Sequence, residues 1–410
     1  MKEPKIRFKG FSGEWKRSTL GDLALFSKGS GYSKSDICKE GTPVILYGRM
    51  YTKYQSVFDE IDTFVNPKDN SVVSKGGEVI IPGSGESSED ISLAAMVKNE
   101  GVILGGDLNI LKFNQKVNDP AFMSMAITYS PTRAELSSYS QGKTVVHLRN
   151  SEIAKGTIRY PDILEQNTIV NYVLSLDAQI SASTSRLDSL KQMKAASLQA
   201  MFPQEGETVP KVRFKGFEGE WKKVKLSECL EISTTRNLNN EYGVNEVLSV
   251  SDEEGVMNQI KLLGRSYAGK SVTNYKILRT NQVVYTKSPL KAKPYGIVKV
   301  NKGETGIVSV LYAVYDAKEC VSPDYIHYYF EPTFRINNYL LPLINKGAKN
   351  TMNISDEVSL QGDIILPNTL EEQLRIVEYL QSLDRQIALH AKRLEKLKQI
   401  KAACLDKMFV

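Results

Sequence analysis

The chain has 410 residues, too many for one ordinary domain, and its 41% hydrophobic, 9% aromatic and 24% charged residues exclude a largely disordered polymer. Cys38, Cys229, Cys320 and Cys404 form no CxxC pair, and His147, His327 and His390 are scattered, which argues against a zinc ribbon, an iron–sulfur site, a disulfide framework or a histidine metal centre. A net charge of +6 is compatible with nucleic acid without arguing for it; no run of about 18 apolar residues marks a bilayer span, and no apolar leader opens the chain.

In chain order, the first feature is an opening segment, PKIRFKGFSGEWK over residues 4–16, which returns as PKVRFKGFEGEWK over residues 210–222. Trp15 and Trp221, the only two tryptophans, each close one copy. A repeat this widely spaced is duplication of a whole domain rather than a solenoid unit. Strand-like runs follow at 78–82, 101–104 and 108–113, rich in β-branched and aromatic residues and bounded by Gly, Asn and Pro. A helical stretch is predicted over 119–129, then a polar loop, Ser140-Gln-Gly-Lys-Thr144, ahead of His147 and Leu148.

Residues 164–202 next read as one long helix. The positions Ile169, Val173, Leu176, Ile180, Ser183, Leu187, Leu190, Lys194, Ser197 and Met201 alternate steps of four and three. The matching positions of the second copy hold Ile376, Leu380, Leu383, Ile387, His390, Leu394, Leu397, Lys401, Cys404 and Met408. Such a stripe predicts a coiled-coil helix that needs a partner, and the other copy is the obvious one. At about 1.5 Å per residue the stretch 169–201 would make a rod of about 50 Å, more than one DNA turn of roughly 34 Å if the two helices pair antiparallel. A plain hairpin or a homodimer stalk is the alternative. His390 is expected to fix helix register, since no metal partner accompanies it.

The second middle repeats the order of elements with different residues: strand-like runs at 282–286 and 306–312, a helical stretch at 322–330, and a polar loop at 345–351 before Met352. The middles, about 21–150 and 227–355, share no long identity. A fixed frame around two unlike inserts predicts one scaffold carrying two binding specificities.

Look-alike catalytic motifs fail. Gln141-Gly-Lys-Thr144 resembles the end of a P-loop, but Ser137 stands where its first glycine belongs and no strand precedes it. Gly83-Ser-Gly85 lacks the third glycine and the helix of a dinucleotide site. No Asn-Pro-Pro-aromatic methyltransferase motif, nuclease Glu-x-Lys, Gly-x-Ser-x-Gly or His-Glu-x-x-His occurs. What remains is basic, amidic and aromatic: Lys28, Tyr32, Lys34, Tyr47, Arg49, Tyr51, Lys53, Tyr54, Gln141, Lys143 and Thr144 in the first middle. The second offers Arg236, Asn237, Lys287, Lys291, Lys293, Tyr295, Lys346, Lys349 and Asn350. Lys and Arg can contact phosphates, and Arg, Asn and Gln can read base edges in the major groove. Residues 1–205 carry about +1 and the rest about +5, which together make the net +6.

With its duplicated Phe-x-Gly-Phe-x-Gly-x-Trp openings at Phe8 and Phe214, its long helices introduced by Leu-Glu-Gln at Leu164 and Leu-Glu-Glu-Gln at Leu370, and its loops at Gly142 and Gly347, the sequence resembles the specificity subunit of a type I restriction–modification system over its whole length. The resemblance implies an α/β (α+β) fold: two similar globular target recognition domains with mixed sheets, separated by two long antiparallel coiled-coil helices in an internal pseudo-two-fold repeat. The expected boundaries are 1–160 and 206–366 for the recognition domains, 161–205 and 367–410 for the spacer helices. Spacer packing is expected of Ile169, Leu176, Ile180, Leu187, Leu190, Ile376, Leu383, Ile387, Leu394 and Leu397. The resemblance further implies a non-catalytic chain that binds no cofactor or metal and reads a bipartite double-stranded DNA target. It would dock two modification subunits, which use S-adenosylmethionine to methylate adenine, and act with two restriction subunits, which use ATP and Mg2+, in the cytoplasm and away from membranes. The alternatives are a coiled-coil scaffold and a diverged stand-alone methyltransferase or nuclease.

Overall fold

The computed structural model describes residues 3–142, 144–269, 271–287, 292–346 and 352–410. The chain forms two compact units. One comprises Met1–Thr184 with Lys392–Val410, and the other Ser185–Ala391. The two long helices run through both units. Each is shared, its first half built into its own copy's unit and its second half into the other's.

In the first unit, β1 (Lys16–Thr19) leads into β2 (Ala24–Lys28). The module continues through β3 (Val57–Phe58), β4 (Glu78–Pro82), β5 (Ser84–Gly85), β6 (Ala95–Val97) and β7 (Leu108–Phe113). A mixed five-stranded sheet has the order β2-β7-β4-β6-β3, parallel only between β6 and β3. β4 is buried at every residue, as an apolar run between covered faces requires. A second five-stranded sheet is built from Ile37–Cys38, Phe64–Val65, Thr42–Ile45, Glu100–Leu104 and Val73–Lys75 in that order. Helix α1 (Pro120–Tyr129) starts where Asp119 accepts the Phe122 N–H, with proline in the first turn, and is buried along most of its length. After α2 (Pro131–Tyr139) come β8 (Val146–His147), β9 (Thr157–Tyr160) and α3 (Ile163–Ala200). β9 pairs antiparallel with β1, Lys16 opposite Tyr160, which closes the module.

The second unit repeats this closure with β10 (Lys222–Lys225). Its sheet is built from β11 (Leu230–Ile232), β12 (Val283–Tyr285), β13 (Val298–Val300) and β14 (Ala313–Ala317), in the order β11-β14-β12-β13 with antiparallel neighbours. Helices α4 (Pro323–Phe330) and α5 (Thr333–Leu340) follow, then β15 (Asp363–Leu366), which pairs with β10, Lys222 opposite Leu366, and finally α6 (Leu370–Met408). The strand expected over 306–312 ends at Val308; Ser309 to Tyr312 form a turn before β14. The helices α2 and α5 have no counterpart among the sequence expectations, because short amphipathic segments after a proline or a helix end give little periodic signal.

The repeated residues build the same frame twice. Gly10, Gly13, Gly216 and Gly219 all have φ between +80° and +102°, a conformation that only glycine adopts without strain. The turns they make let Arg7 donate to both Glu165 oxygens at 2.8 Å and to the Gly13 carbonyl at 2.6 Å. Arg213 repeats this on Glu372 at 2.7 and 2.9 Å and on the Gly219 carbonyl at 2.6 Å. The glutamine after each glutamate caps the module: Gln166 accepts from the Asp119 N–H at 2.8 Å, and Gln373 from the Ser322 N–H at 3.0 Å. Each tryptophan meets a ring of the following module helix, Trp15 against Phe122 with centroids 5.6 Å apart and Trp221 against Tyr325 at 6.4 Å. Phe409, just after α6, joins the first cluster, and Phe202, just after α3, joins the second. So each unit's aromatic core takes one ring from the other copy's helix end.

Candidate nucleic-acid interface

The spacer stripe lies inside. Ile169, Leu176, Leu187, Leu190, Ile376, Leu383, Leu394 and Leu397 are buried, and Ile180 and Ile387 half-buried. In the first unit Ile169, Val170 and Val173 share a core with Leu405, Met408 and Phe409; in the second Leu190, Leu198 and Met201 share one with Ile376, Leu380 and Leu383. The pairing within each unit is antiparallel. The polar interruptions match reciprocally: Lys401 pairs with Asp177 in the first unit, and Lys194 with Asp384 at 2.7 Å in the second. These are the same lysine and the same aspartate of the repeat, exchanged between copies.

Lys194 also meets Glu331 at 2.6 Å, and Tyr328 donates to Asp384 at 2.7 Å. His327 lies in the same network, its Nδ1 3.2 Å from the Val298 carbonyl. Burial first, and the Lys299 charge second, lower its pKa to about 3 against the opposing pull of the Val298 carbonyl and the Asp384 carboxylate. For Lys194, burial works against the charge but Glu331 and Asp384 outweigh it, and its pKa is raised.

The candidate DNA-contacting residues separate into two groups. Several are committed to the interior or to ion pairs within their own module. Tyr32 is buried beside Val44, Val65 and Ile103, and its hydroxyl accepts the Lys68 N–H at 2.8 Å. The Tyr54 hydroxyl donates to the Ala94 carbonyl at 2.9 Å, and burial raises its pKa. Arg49 and Lys53 both pair with Asp62, whose carboxyl the Lys53 and Arg49 hydrogen bonds hold well below the usual range. Asn237 is buried and staples a turn through the Tyr242 carbonyl at 2.7 Å. Lys287 pairs with Asp356 at 2.5 Å, and Lys276 shares that carboxylate. Burial disfavours the Asp356 charge, but the two lysines hold its pKa below the usual value. Lys293 donates to the Glu331 carbonyl at 2.7 Å, and Tyr295 is half-buried against the second core.

Others stay on the surface. Lys28, Lys34, Tyr47, Gln141, Thr144 and Arg236 are exposed; Arg236 donates to the Asn274 carbonyl at 2.9 Å. Tyr47 meets half-buried Tyr51 edge-on, with centroids 6.2 Å apart. Lys143, Lys291, Lys349 and Asn350 lie outside the described residues, and Lys346 is placed only by its backbone, in the short strand Asn345–Lys346.

In the first unit Tyr51 and Gln141 meet a polar hub that sequence reasoning passed over. β5 pairs with β8 so that Ser84 stands opposite His147. The Ser84 hydroxyl donates to Asp107 Oδ2 at 3.0 Å and lies 3.0 Å from His147 Nδ1, while the Tyr51 hydroxyl donates to the Ser84 carbonyl at 2.5 Å. The loop before His147 is held by the reciprocal backbone bonds of Gln141 and His147, 3.0 and 2.8 Å. Ser, His and Asp meet here in the wrong order for nucleophilic catalysis: the serine bridges the other two, so its proton goes to the carboxylate and no base activates it. The hub's serine belongs to the Gly83-Ser-Gly85 run dismissed as a dinucleotide motif. Its one sequence signal is a polar residue between glycines beside a buried strand. Among the described residues, no group of three or more His, Cys, Asp or Glu could hold a metal ion, and no helix is long and apolar enough to cross a membrane.

Two unlike modules on one duplicated frame define a recognition protein with two binding surfaces. The family model for the type I restriction modification DNA specificity domain matches residues 12–192 and again residues 218–399, and the chain belongs to that family. No curated relative matches the sequence. The fold is similar to the crystal structure of the type I restriction-modification system S subunit from M. genitalium, with a TM-score of 0.60 at 12% identity, covering 100% of this chain and 99% of that one. The HsdS subunit from Thermoanaerobacter tengcongensis aligns with a TM-score of 0.46 at 18% identity, covering 100% and 99% of the respective chains.

Proposed function

We propose that this chain is the DNA-reading component of a type I restriction–modification complex, in which each module reads one half of a bipartite target and the paired helices set the gap between the halves. The observation that carries the reading is the frame itself: two copies matched residue by residue, down to the exchanged Lys–Asp pairs, around two modules of unlike sequence. Chemistry then belongs to partners. Two modification subunits would dock on the chain and methylate adenine with S-adenosylmethionine, and two restriction subunits would supply ATP- and Mg2+-dependent cleavage, all in the cytoplasm. The only Ser–His–Asp grouping described above is wired to hold a surface rather than to attack a substrate, which supports a recognition role over a diverged stand-alone enzyme. The test is a map of methylated adenines in a genome with and without this chain, alongside S-adenosylmethionine binding by the isolated chain. The reading expects one two-part motif to vanish with the chain and no cofactor binding by the chain alone. An unchanged map together with cofactor binding would favour the stand-alone methyltransferase.

A further inference from the structure

Resting on that DNA-recognition reading, we propose that His147 is a base-reading residue of the first module, and that its exposed ring nitrogen Nε2 acts as a hydrogen-bond acceptor for the exocyclic amino group of an adenine or a cytosine in the major groove. The argument starts from one hydroxyl proton. Ser84 has a single O–H, and it donates that proton to Asp107 Oδ2 3.0 Å away. The Ser84 oxygen then presents only lone pairs to His147 Nδ1 at 3.0 Å, and that contact is a hydrogen bond only if Nδ1 carries the ring proton. In the neutral imidazole this leaves Nε2 as an acceptor. Among the described residues Nε2 makes no hydrogen bond, and the side chain is exposed.

Three further features show a built position rather than a chance contact. His147 and Ser84 are cross-strand partners, and the backbone on either side is tied down, Leu148 N–H to the Gly83 carbonyl at 3.0 Å and His147 N–H to the Gln141 carbonyl at 2.8 Å. Asp107, which orders the serine, has φ +59°, a left-handed conformation uncommon outside glycine and concentrated at functional positions. Lys28 lies at the same edge: a side-chain carbon added at Gly83 would stand 3.1 Å from both its ammonium and the Asp107 carbonyl, so glycine keeps the three groups close. A cation beside an ordered acceptor suits a phosphate and a base edge respectively. The amino groups of adenine N6 and cytosine N4 are the donors the major groove displays, and an acceptor selects them over guanine and thymine.

Two measurements on the full-length chain test this. Nitrogen-15 correlation spectra of its imidazoles in mildly alkaline buffer, with His147→Gln identifying the signals, should show His147 protonated at Nδ1; protonation at Nε2 would overturn the proposal. With the target mapped, duplexes carrying purine for each adenine, or pyrimidin-2-one for each cytosine, of the half-site read by the first module remove one amino group at a time. One such analogue should weaken binding by the wild-type chain in its complex about tenfold and leave the affinity of His147→Ala unchanged. Ser84→Ala, which frees the ring to exchange tautomers, should lose part of the same discrimination. Sequence-specific binding in which no analogue couples to His147 would overturn this inference and leave the DNA-reading function standing. Absence of sequence-specific binding would overturn both.

Discussion

Arg213 and Glu372 illustrate how single residues carry the frame. The glutamate side chain is 2% exposed and holds a bidentate arginine plus the Trp221 indole N–H at 3.3 Å. Removing the arginine strands a buried carboxylate, which costs roughly 3–5 kcal/mol. Arg213→Ala should therefore lower the urea midpoint strongly, and Arg213→Ala with Glu372→Gln should recover much of the loss. His327 is a second such residue. Its folded pKa, about 3, lies below the ordinary imidazole value, so between the two the unfolded chain binds a proton that the folded chain refuses. Stability from this site is whole above the ordinary value and falls as pH drops toward about 3, by about 1.4 kcal/mol per pH unit at most. His327→Gln should flatten that acid limb in denaturation followed at several pH values; an unchanged slope would contradict the assignment. Alanine at Lys143 and Lys349 should weaken binding to all DNA sequences alike and flatten the salt slope by about one each, as phosphate contacts do.

At the scale of elements, the helices were the most legible part of the sequence. A stripe of Ile, Leu and Val at steps of three and four specifies which face is covered, and the long helices bury it where the spacing placed it. The sequence aligned Asp177 with Asp384 and Lys194 with Lys401, but their exchange between copies needs three dimensions to see. It predicts an asymmetry. Lys401 and Asp177 are partly open to solvent, so Lys401→Ala should cost about 1 kcal/mol or less. Lys194 serves two carboxylates in a more enclosed site, and Lys194→Ala should cost roughly 2–3 kcal/mol, with Asp384→Asn suppressing part of it in a double-mutant cycle. Purely additive losses would contradict the pairing. The modules were legible as strand, helix and loop in order, but not as a site. Tyr and Lys clusters read alike whether they face solvent or a partner within the fold, and Arg49, Tyr54 and Lys287 took partners, Asp62, the Ala94 carbonyl and Asp356, that lie apart from them in sequence and near in the fold. The Ser84, Asp107 and His147 hub was invisible for the same reason: its members come from three separate strand ends or turns.

For the whole molecule, duplication is the fact from which the rest follows. One frame, written twice, fixes Arg, Glu and Gln in the same contacts in both units, while the modules between them diverge in sheet order and in charge. A frame that meets its insert through the same few contacts, a backbone N–H at the module helix start and one ring of that helix, lets an insert be exchanged. The central claim is that each module reads its own half of the target. The most direct test replaces residues 227–355 with the corresponding middle of another family member and maps methylated adenines in cells that carry the partner subunits. The account predicts a two-part motif in which one half changes, the other half stays, and the gap between them is kept. A motif altered in both halves, or one left wholly unchanged, would contradict it.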